Sequence, residues 1–505
     1  MTVRDVHAID GKLPAPDARF DVVVVGAGSA GTAAAIAAAE DGASVLLIDE
    51  NPVPGALIGS DAPYFYGGRM TAALQQPARM LEQVFTSNPA LETAFAAGVD
   101  VRLGTCAWGL YVNGPALRAL PEPMLGLADA EAATMVGFGR LLLATGARDL
   151  VLGFAGWNQP GVMGAQGFAA LLTRYDALAS RRIVILGSGA LALETALLAL
   201  ARGIAVAALV EVADVVQGPA ALAAQVAAAG VPILLGHTVA ATLGGIDGVE
   251  GVTLTRPPSP AQAGAQSGNG DWDALRSLTE TSVTGPRPAP GKDNELEIPC
   301  DTIVLALGLA PATELLDAAG TRPSETISLI GDAATVNRPD PAYLQAWATA
   351  LGQHAPPDTI VCQCEEVTRT DLLGVQPPRY LDRPQAMAAR SLASLLNDGP
   401  AHPDQIKRLT RAGMGACQGR RCRDQVACLL AEQQGVPLAT VPIASFRAPV
   451  RPVPLGILAD WQESTAMTAG WDVWFGIPTQ WTPYAMIGTA EEAEHVAGLG
   501  GNMHV

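Results

Sequence analysis

Positive charge is scarce in this sequence: 31 Lys and Arg stand against 49 Asp and Glu, a formal net charge of -18 with a pI near 4.7. A surface of that sign offers no basic footprint, which excludes nucleic acid and an anionic membrane surface as expected partners. Cysteine is also sparse, seven in 505 residues, too few for a secreted disulfide framework. Four of the seven fall in two close pairs, which points to a reducing cytosol and a metal or cluster site. The first twenty residues lack the apolar core of a signal peptide and carry Arg4, Asp5, Asp10, Lys12 and Asp17, so export is not expected. The longest uncharged run, Gln217 to Ile246, is interrupted by Gly218, Pro219, Gly230, Pro232 and Gly236. It reads as an Ala-rich helix running into a strand ("VPILLG"), and no transmembrane helix is assigned. Histidine is thinly spread as well: His7, His237, His354, His402, His495 and His504 form no constellation with paired carboxylates. Each reads as solvated or as a satisfied structural residue, and no catalytic base is legible.

What the chain does contain is nucleotide-binding grammar, written twice. With 49% hydrophobic residues it is long enough to bury the cores of two to four domains. "DVVVVGAGSAGTAAAIAAAEDGASVLLIDE" is a strand, a glycine turn, an Ala-rich helix and a second strand. Gly26 allows the tight turn, Gly28 lets backbone approach a pyrophosphate, Gly31 lets helix pack on strand, and Asp49 is placed for a ribose hydroxyl. The pattern returns in "RRIVILGSGALALETALLALARGIAVAALVEV", with Gly187, Gly189 and Ala192 in the glycine positions and Glu211 in the acidic one. Glu211 favours a 2′-hydroxyl over a 2′-phosphate, so this unit reads as a site for NAD(H) or another adenine nucleotide, or as a retained but empty scaffold. Pro257 to Glu295, rich in Pro, Gly, Ser and Ala between two strand-like segments, reads as a mobile hairpin insertion.

Two further segments, "GRLLLATGARD" and "ISLIGDAA", are apolar strands ending at Thr145 and Gly146 and at Gly331 and Asp332. With them the chain resembles the two-dinucleotide-binding-domain flavoproteins of the glutathione-reductase-like class. That resemblance implies FAD on the first unit, closed by the Thr145–Gly146 turn, with Gly331 and Asp332 bringing a carboxylate to the flavin's ribityl and pyrophosphate region. It also implies that the second unit is inserted between two halves of the FAD domain. The thiol pair that disulfide reductases of this class place against the flavin is missing. Cys106 and Cys300 stand alone in their units and read as small core residues. Gly55 followed by Ala56 also departs from the Gly-Gly usual in this class after the acidic residue.

The paired cysteines lie downstream. "VCQCEEVTRTDLL" holds Cys362 and Cys364, and "TRAGMGACQGRRCRDQVACLL" holds Cys417 and Cys422, a C-x-C, a long spacer, then C-x-x-x-x-C. Four thiolates suit a 2Fe–2S cluster and equally suit zinc, and plain thiols are the third reading. Gly413, Gly415 and Gly419 give the second pair a backbone that can wrap a cluster, and Arg420, Arg421 and Arg423 offset its negative charge. Cys428, on apolar positions of the following helix, reads as core.

These segments resemble the bacterioferritin-associated-ferredoxin-like domain. Joined to the flavoprotein part, the whole resembles the alpha (A) subunit of multi-subunit amino-acid dehydrogenases: opine oxidase, hydroxyproline dehydrogenase and the hydrogen cyanide synthase group. "FAGWNQPGVMGAQGFAALL" and "RAPVRPVPLGILA" share in the likeness. The resemblance implies Cys362, Cys364, Cys417 and Cys422 as 2Fe–2S ligands. It also implies a D-amino-acid-oxidase-like beta subunit that oxidises the substrate, a small gamma subunit, and a quinone or other acceptor. The substrate expected is an opine, hydroxyproline or a related D-amino or imino acid, or glycine, and an FMN at a subunit interface stays open. The spacer between the cysteine pairs is longer than usual for this domain, with "QPPRYLDRPQAMAARS" looking like inserted material.

The expected architecture is α/β: two Rossmann-like, glutathione-reductase-type domains, a small helical 2Fe–2S domain and a C-terminal tail. Its boundaries are an arm at 1–20, FAD domain at 21–155 and 311–355, second nucleotide domain at 175–310 with the insertion 257–295, cluster domain at 356–436 and tail at 437–505. Trp461, Trp471, Trp474 and Trp481 in that tail read as an interface core or as a segment folded back on the parent domain. The location expected is cytoplasmic, peripheral to the inner membrane only through partners. Two rival functions stand beside the electron-transfer reading. One is a stand-alone NAD(P)H-dependent oxidoreductase, and the other is a non-catalytic scaffold whose cysteines hold structural zinc.

Overall fold

The computed structural model describes residues 15–52, 69–113, 120–256, 295–383, 390–459 and 489–491. Outside them lie the insertion expected at 257–295 up to its last residue, most of the arm expected at 1–20, Gly55 and Ala56, the four tail tryptophans, His7, His495 and His504. Among the described residues, no helix is long and apolar enough to cross a membrane.

Short apolar runs buried on both faces make parallel strands, and the two glycine motifs each seed one sheet. The first sheet runs in the order β3 (Asp100–Leu103), β2 (Val45–Asp49), β1 (Ala18–Val25), β6 (Ala133–Leu143), β5 (Met124–Ala128), β4 (Cys106–Tyr111), with β17 (Ile327–Leu329) also paired to β6. β1 is parallel to both β2 and β6, so Val24 lies between Leu47 and Leu142. The second sheet is entirely parallel, in the order β11 (Ile233–Leu235), β10 (Ala205–Glu211), β9 (Arg182–Leu186), β15 (Thr302–Leu305), β8 (Val162–Gly164). An antiparallel three-stranded sheet of β12 (Thr238–Gly245), β13 (Gly248–Thr255) and β14 (Glu295–Pro299) leans on it. Here the uncharged run from Gln217 becomes a helix, Ala220–Ala228, and then strands.

The connection between the sheets carries the organisation. β7 (Ala147–Asp149) leaves the first unit, β16 (Leu309–Pro311) returns to it, and the two pair antiparallel as a narrow crossover. Helices α1 (Ser29–Glu40) and α2 (Ala190–Ala201) follow the two glycine turns. Their alanines favour helix and leave small faces that pack close to the strands. One continuous apolar core, including Val24, Leu47, Phe168, Ile185 and Leu193, joins both units.

Beyond the crossover come α3 (Glu314–Ala319) and α4 (Pro341–Gly352), the ribbon of β18 (Ile360–Cys362) and β19 (Val367–Thr368), and α5 (Arg423–Gln434). Leu372, Leu392, Ile406, Val426 and Leu430 form a separate small core there. α5 is buried without interruption from Arg423 to Ala431. Such a helix must be covered on all sides, and Cys428 on it packs into the core of the second unit.

Candidate functional site

At the first glycine turn, backbone sterics leave no alternative residue. Gly26 has φ +108°, and a Cβ there would lie 2.2 Å from the Ala144 carbonyl oxygen. A Cβ on Gly31 would lie 1.9 Å from the Gly26 oxygen. At Gly28 a Cβ would meet nothing within 4 Å, so the start of α1, which has no side-chain cap, faces open space with its N–H groups free to receive a phosphate. Asp49 is partly exposed; its Oδ2 accepts from the Ala27 N–H at 2.7 Å and its Oδ1 from the Asn51 N–H at 2.8 Å. The Thr145 hydroxyl donates to the Ala312 carbonyl at 2.6 Å, and the left-handed Gly146 follows it. Gly331, at φ +60°, approaches the first turn of α1, where a Cβ would lie 2.8 Å from Ala30 Cβ. The exposed Asp332 follows, opening the short helical turn Asp332–Thr335. The structure thus brings Gly26, Gly28, Gly31, Asp49, Thr145, Gly146, Gly331 and Asp332 to one end of the first sheet. An open helix start, with an acid one strand away, fits a dinucleotide.

The second turn repeats the backbone and, at Gly189, the opening, since a Cβ there would meet nothing within 4 Å; it differs in its acidic residue. Gly187 has φ +109° and lies against the Ala306 carbonyl, and Ala192 is buried in the helix face. Gly218 comes so close that a Cβ on it would lie 2.8 Å from the Gly189 carbonyl carbon, and the Gln217 N–H donates to Ser188 Oγ at 3.0 Å. Glu211 is 0% exposed. Its Oε2 accepts from Ser188 Oγ at 2.7 Å and Tyr343 OH at 2.9 Å, and its Oε1 from the Ala213 N–H at 3.0 Å. The carboxylate expected to meet a ribose is spent inside the fold, sealed by a tyrosine from α4. In this arrangement these residues do not fit a nicotinamide dinucleotide bound through Glu211. Burial also pushes the Tyr343 phenol up, with the Glu211 charge adding to it.

The four paired cysteines come together. Cys362 ends β18, Cys364 follows in the turn, Cys417 sits in the glycine-rich loop and Cys422 caps α5. Cys362, Cys417 and Cys422 are buried, and Cys364 is partly exposed. The four groups affect one another's ionisation, Cys362 and Cys422 most strongly as one couple and Cys364 and Cys417 as the other. Cys364 as neighbour draws the Cys417 thiol down to about 5 against the burial that raises it, and Cys417 with burial pushes Cys364 up. The left-handed Gly413 donates its N–H to Cys362 Sγ at 3.5 Å, and a Cβ on Gly415 would lie 2.3 Å from Cys364 Cβ. Among the described residues, no three metal-ligating side chains converge on a single ion. The remaining cysteines, Cys106, Cys300 and Cys428, are buried singly.

Positive charge surrounds the thiols. Arg148, Arg420 and Arg423 are buried beside two buried carboxylates, Glu314 and Asp424, while Arg338 reaches Asp424 from the rim. Glu365, next to Cys364, is answered by Arg411 at 2.7 Å. Arg423 is 2% exposed; its Nη2 donates to the Ser445 carbonyl at 3.2 Å, and its Nε and Nη1 have no hydrogen-bond partner. Phe446 covers it, ring centroid 3.1 Å from Cζ. A surplus of buried cations with orphaned donors fits deprotonated sulfur ligands around a metal centre and does not fit four neutral thiols. Sequence reasoning found the cysteines and the neighbouring arginines by spacing. It missed Arg148, Glu314 and Arg338, which reach the site from remote parts of the chain, and also Asp424, two residues after Cys422, and Phe446.

Comparison with known proteins matches two parts of the chain to known families. Residues 20–335 match the family described as pyridine nucleotide-disulphide oxidoreductase, and residues 378–461 match the sarcosine oxidase A3 domain. The chain is 27% identical to the A subunit of opine oxidase from Rhizobium meliloti over 489 residues, covering 87% of this chain and 98% of that one. It is 27% identical to the sarcosine oxidase alpha subunit of the same organism, covering 87% of this chain and 42% of that one. The hydrogen cyanide synthase subunit HcnB of Pseudomonas aeruginosa is 25% identical, with 79% of this chain and 90% of that one covered.

Proposed function

Because the chain belongs to the pyridine nucleotide-disulphide oxidoreductase family, we propose that it is the electron-relaying alpha subunit of a heteromeric, flavin-dependent amino-acid dehydrogenase. In this reading it holds FAD on the first unit and a 2Fe–2S cluster on Cys362, Cys364, Cys417 and Cys422. A D-amino-acid-oxidase-like beta subunit would oxidise an opine, hydroxyproline or a related D-amino or imino acid. The resemblance adds a small gamma subunit and a quinone or other acceptor, and leaves an FMN at a subunit interface open. The names of its relatives, two of them oxidase subunits, support an oxidoreductase working in a complex.

The observation that carries the cluster reading is the surplus of buried positive charge at the four cysteines. Arg148, Arg420 and Arg423 are buried there against two buried carboxylates, Glu314 and Asp424, and Arg423 keeps two donors without partners, which suits four thiolates holding a metal centre; the spacing of the cysteines, by the family resemblance, favours two irons over zinc. FAD supplies two-electron chemistry when bound and the cluster supplies one-electron exchange. The chain's residues hold these groups in place. The start of α1 receives the pyrophosphate, Asp49 the ribose and Asp332 the ribityl side. Gly413 directs its N–H at Cys362 Sγ, Arg423 holds positive charge beside Cys422, and α5, with Phe446 over Arg423, keeps water from the buried thiols. The stand-alone NAD(P)H reductase has less support, since Glu211 is sealed by Ser188 and Tyr343.

Native mass spectrometry of the chain, purified anaerobically with its natural partners, tests the proposal. A complex in which this chain carries FAD and the mass of two irons and two sulfides is the expected result. A solitary chain with FAD and zinc, or without metal, would falsify the relay reading.

A further inference from the structure

We infer that Arg148 is the positioning residue that couples the flavin-side turn to the cysteine loop and sets how readily the cysteine-held centre accepts an electron. The inference rests on the cluster reading above. Arg148 lies on β7, three residues beyond Thr145, on the strand that leaves the turn assigned to the flavin. Its guanidinium is 9% exposed and crosses into the other lobe. Nη1 donates to the Arg420 carbonyl at 2.7 Å and to Asp424 Oδ2 at 3.2 Å, and Nε stands 3.4 Å from Glu314 Oε1. Arg420 lies between Cys417 and Cys422, and Asp424 is in the first turn of the helix that Cys422 caps. One side chain therefore fixes the loop joining two ligands and the helix that follows, while its backbone belongs to the flavin unit.

Stability alone does not account for this arrangement. A buried ion network gains little over a well-packed apolar replacement of similar size. What the network adds is a fixed positive charge that acts on Cys417 and Cys422 across a poorly screened interior. Glu314, on α3, partly neutralises that charge. The pair thus sets the local potential in opposite directions: Arg148 favours an added electron and Glu314 disfavours it. A cavity of about 600 Å³ lined by Arg148, Glu314, Arg338, Ser445 and Phe446 adjoins the pair, so water can reach a group left unpaired by substitution.

The test is a redox titration of the anaerobically purified complex, followed by the electron paramagnetic resonance signal of the reduced centre, with iron and sulfide counted in each sample. Arg148→Met should lower the midpoint potential by an amount equal to about a tenfold loss in the reduction equilibrium, about 59 mV for a one-electron couple. Arg148→Lys, which keeps the charge, should restore most of it, and Glu314→Gln should move the potential upward. A merely structural contact does not predict opposite signs. If Arg148→Met fails to fold, Glu314→Gln decides: a raised potential supports the inference, an unchanged or lowered one overturns it. If the wild-type chain holds no iron and sulfide, the cluster reading falls and the inference with it. If it holds both and the variants titrate like wild type, only the role of Arg148 falls.

Discussion

Gly26 and Gly28 share one turn and answer to different constraints. Gly26 is held by the fold: its left-handed backbone and the Ala144 oxygen leave no room for a methyl group. Gly28 is bounded only by open space, so any demand for glycine there comes from a ligand. Gly26→Ala should cost about 2 kcal/mol of stability even without flavin, read as a lower denaturant midpoint of the flavin-free chain. Gly28→Ala should leave that midpoint unchanged and weaken FAD binding, read by fluorescence titration. A result in which both variants lose stability equally would contradict the assignment of the Gly28 side to a cofactor. Residues of this kind are legible because their partners are local. Glu211 looked equivalent to Asp49 in sequence, yet Tyr343, which helps seal it, lies 132 residues away. Arg148 likewise finds the Arg420 carbonyl 272 residues away.

At the scale of elements, strands and helices of both units were legible from apolar runs bounded by glycine, while the crossover was not, because β7 and β16 are three residues each. Asp149 at the end of β7 shows what that short strand does. Its carboxylate accepts from the Gln166 N–H at 2.9 Å and the Gly167 N–H at 3.3 Å, holding the start of the helix Ala165–Ala169. Burial pushes this carboxyl up to about 6, against the pull of those N–H groups and Arg421. The unfolded chain gives up the same proton near pH ~4. Between about pH 4 and 6 the folded form therefore binds more protons, and the contribution of Asp149 to stability falls as pH rises, being fully present only below that window. Urea titrations of wild type and Asp149→Asn across about pH 4 to 7 should show wild type losing stability relative to the variant. A constant difference would mean that the carboxyl titrates normally.

Across the whole molecule, the stretch 441–459 ties the lobes together. Lys407 and Arg423 both donate to the Ser445 carbonyl, Phe446 covers Arg423, the Val450 N–H donates to the Trp108 carbonyl at 2.8 Å, and Arg451 pairs with Glu50 at 2.7 Å. Glu50 adjoins Asp49, so the strap runs from the cysteine site to the edge of the flavin unit. "RAPVRPVPLGILA" contributed to the family resemblance without disclosing this route, since the contacts that make it, Val450 with Trp108 and Arg451 with Glu50, are to distant segments. With the proposed cluster in place, Phe446→Ala should expose Arg423 to water and speed the loss of iron to a chelator, timed by bleaching of visible absorbance, while Leu455→Ala, at an 82% exposed position, serves as the control. Equal rates in the two variants would remove Phe446 as a cover.

The position of that strap in the chain also imposes a schedule. Synthesis runs from the N-terminus, so all four cysteines and α5 leave the ribosome ahead of Ser445, Phe446 and Arg451. During synthesis the sulfur pocket therefore stands without its cover, and the segment that shuts it emerges only afterwards. If the cysteines hold the proposed cluster, delivery of iron and sulfide would be easiest in that interval, and a finished chain that missed it would have to undo contacts at both lobes before it could be loaded.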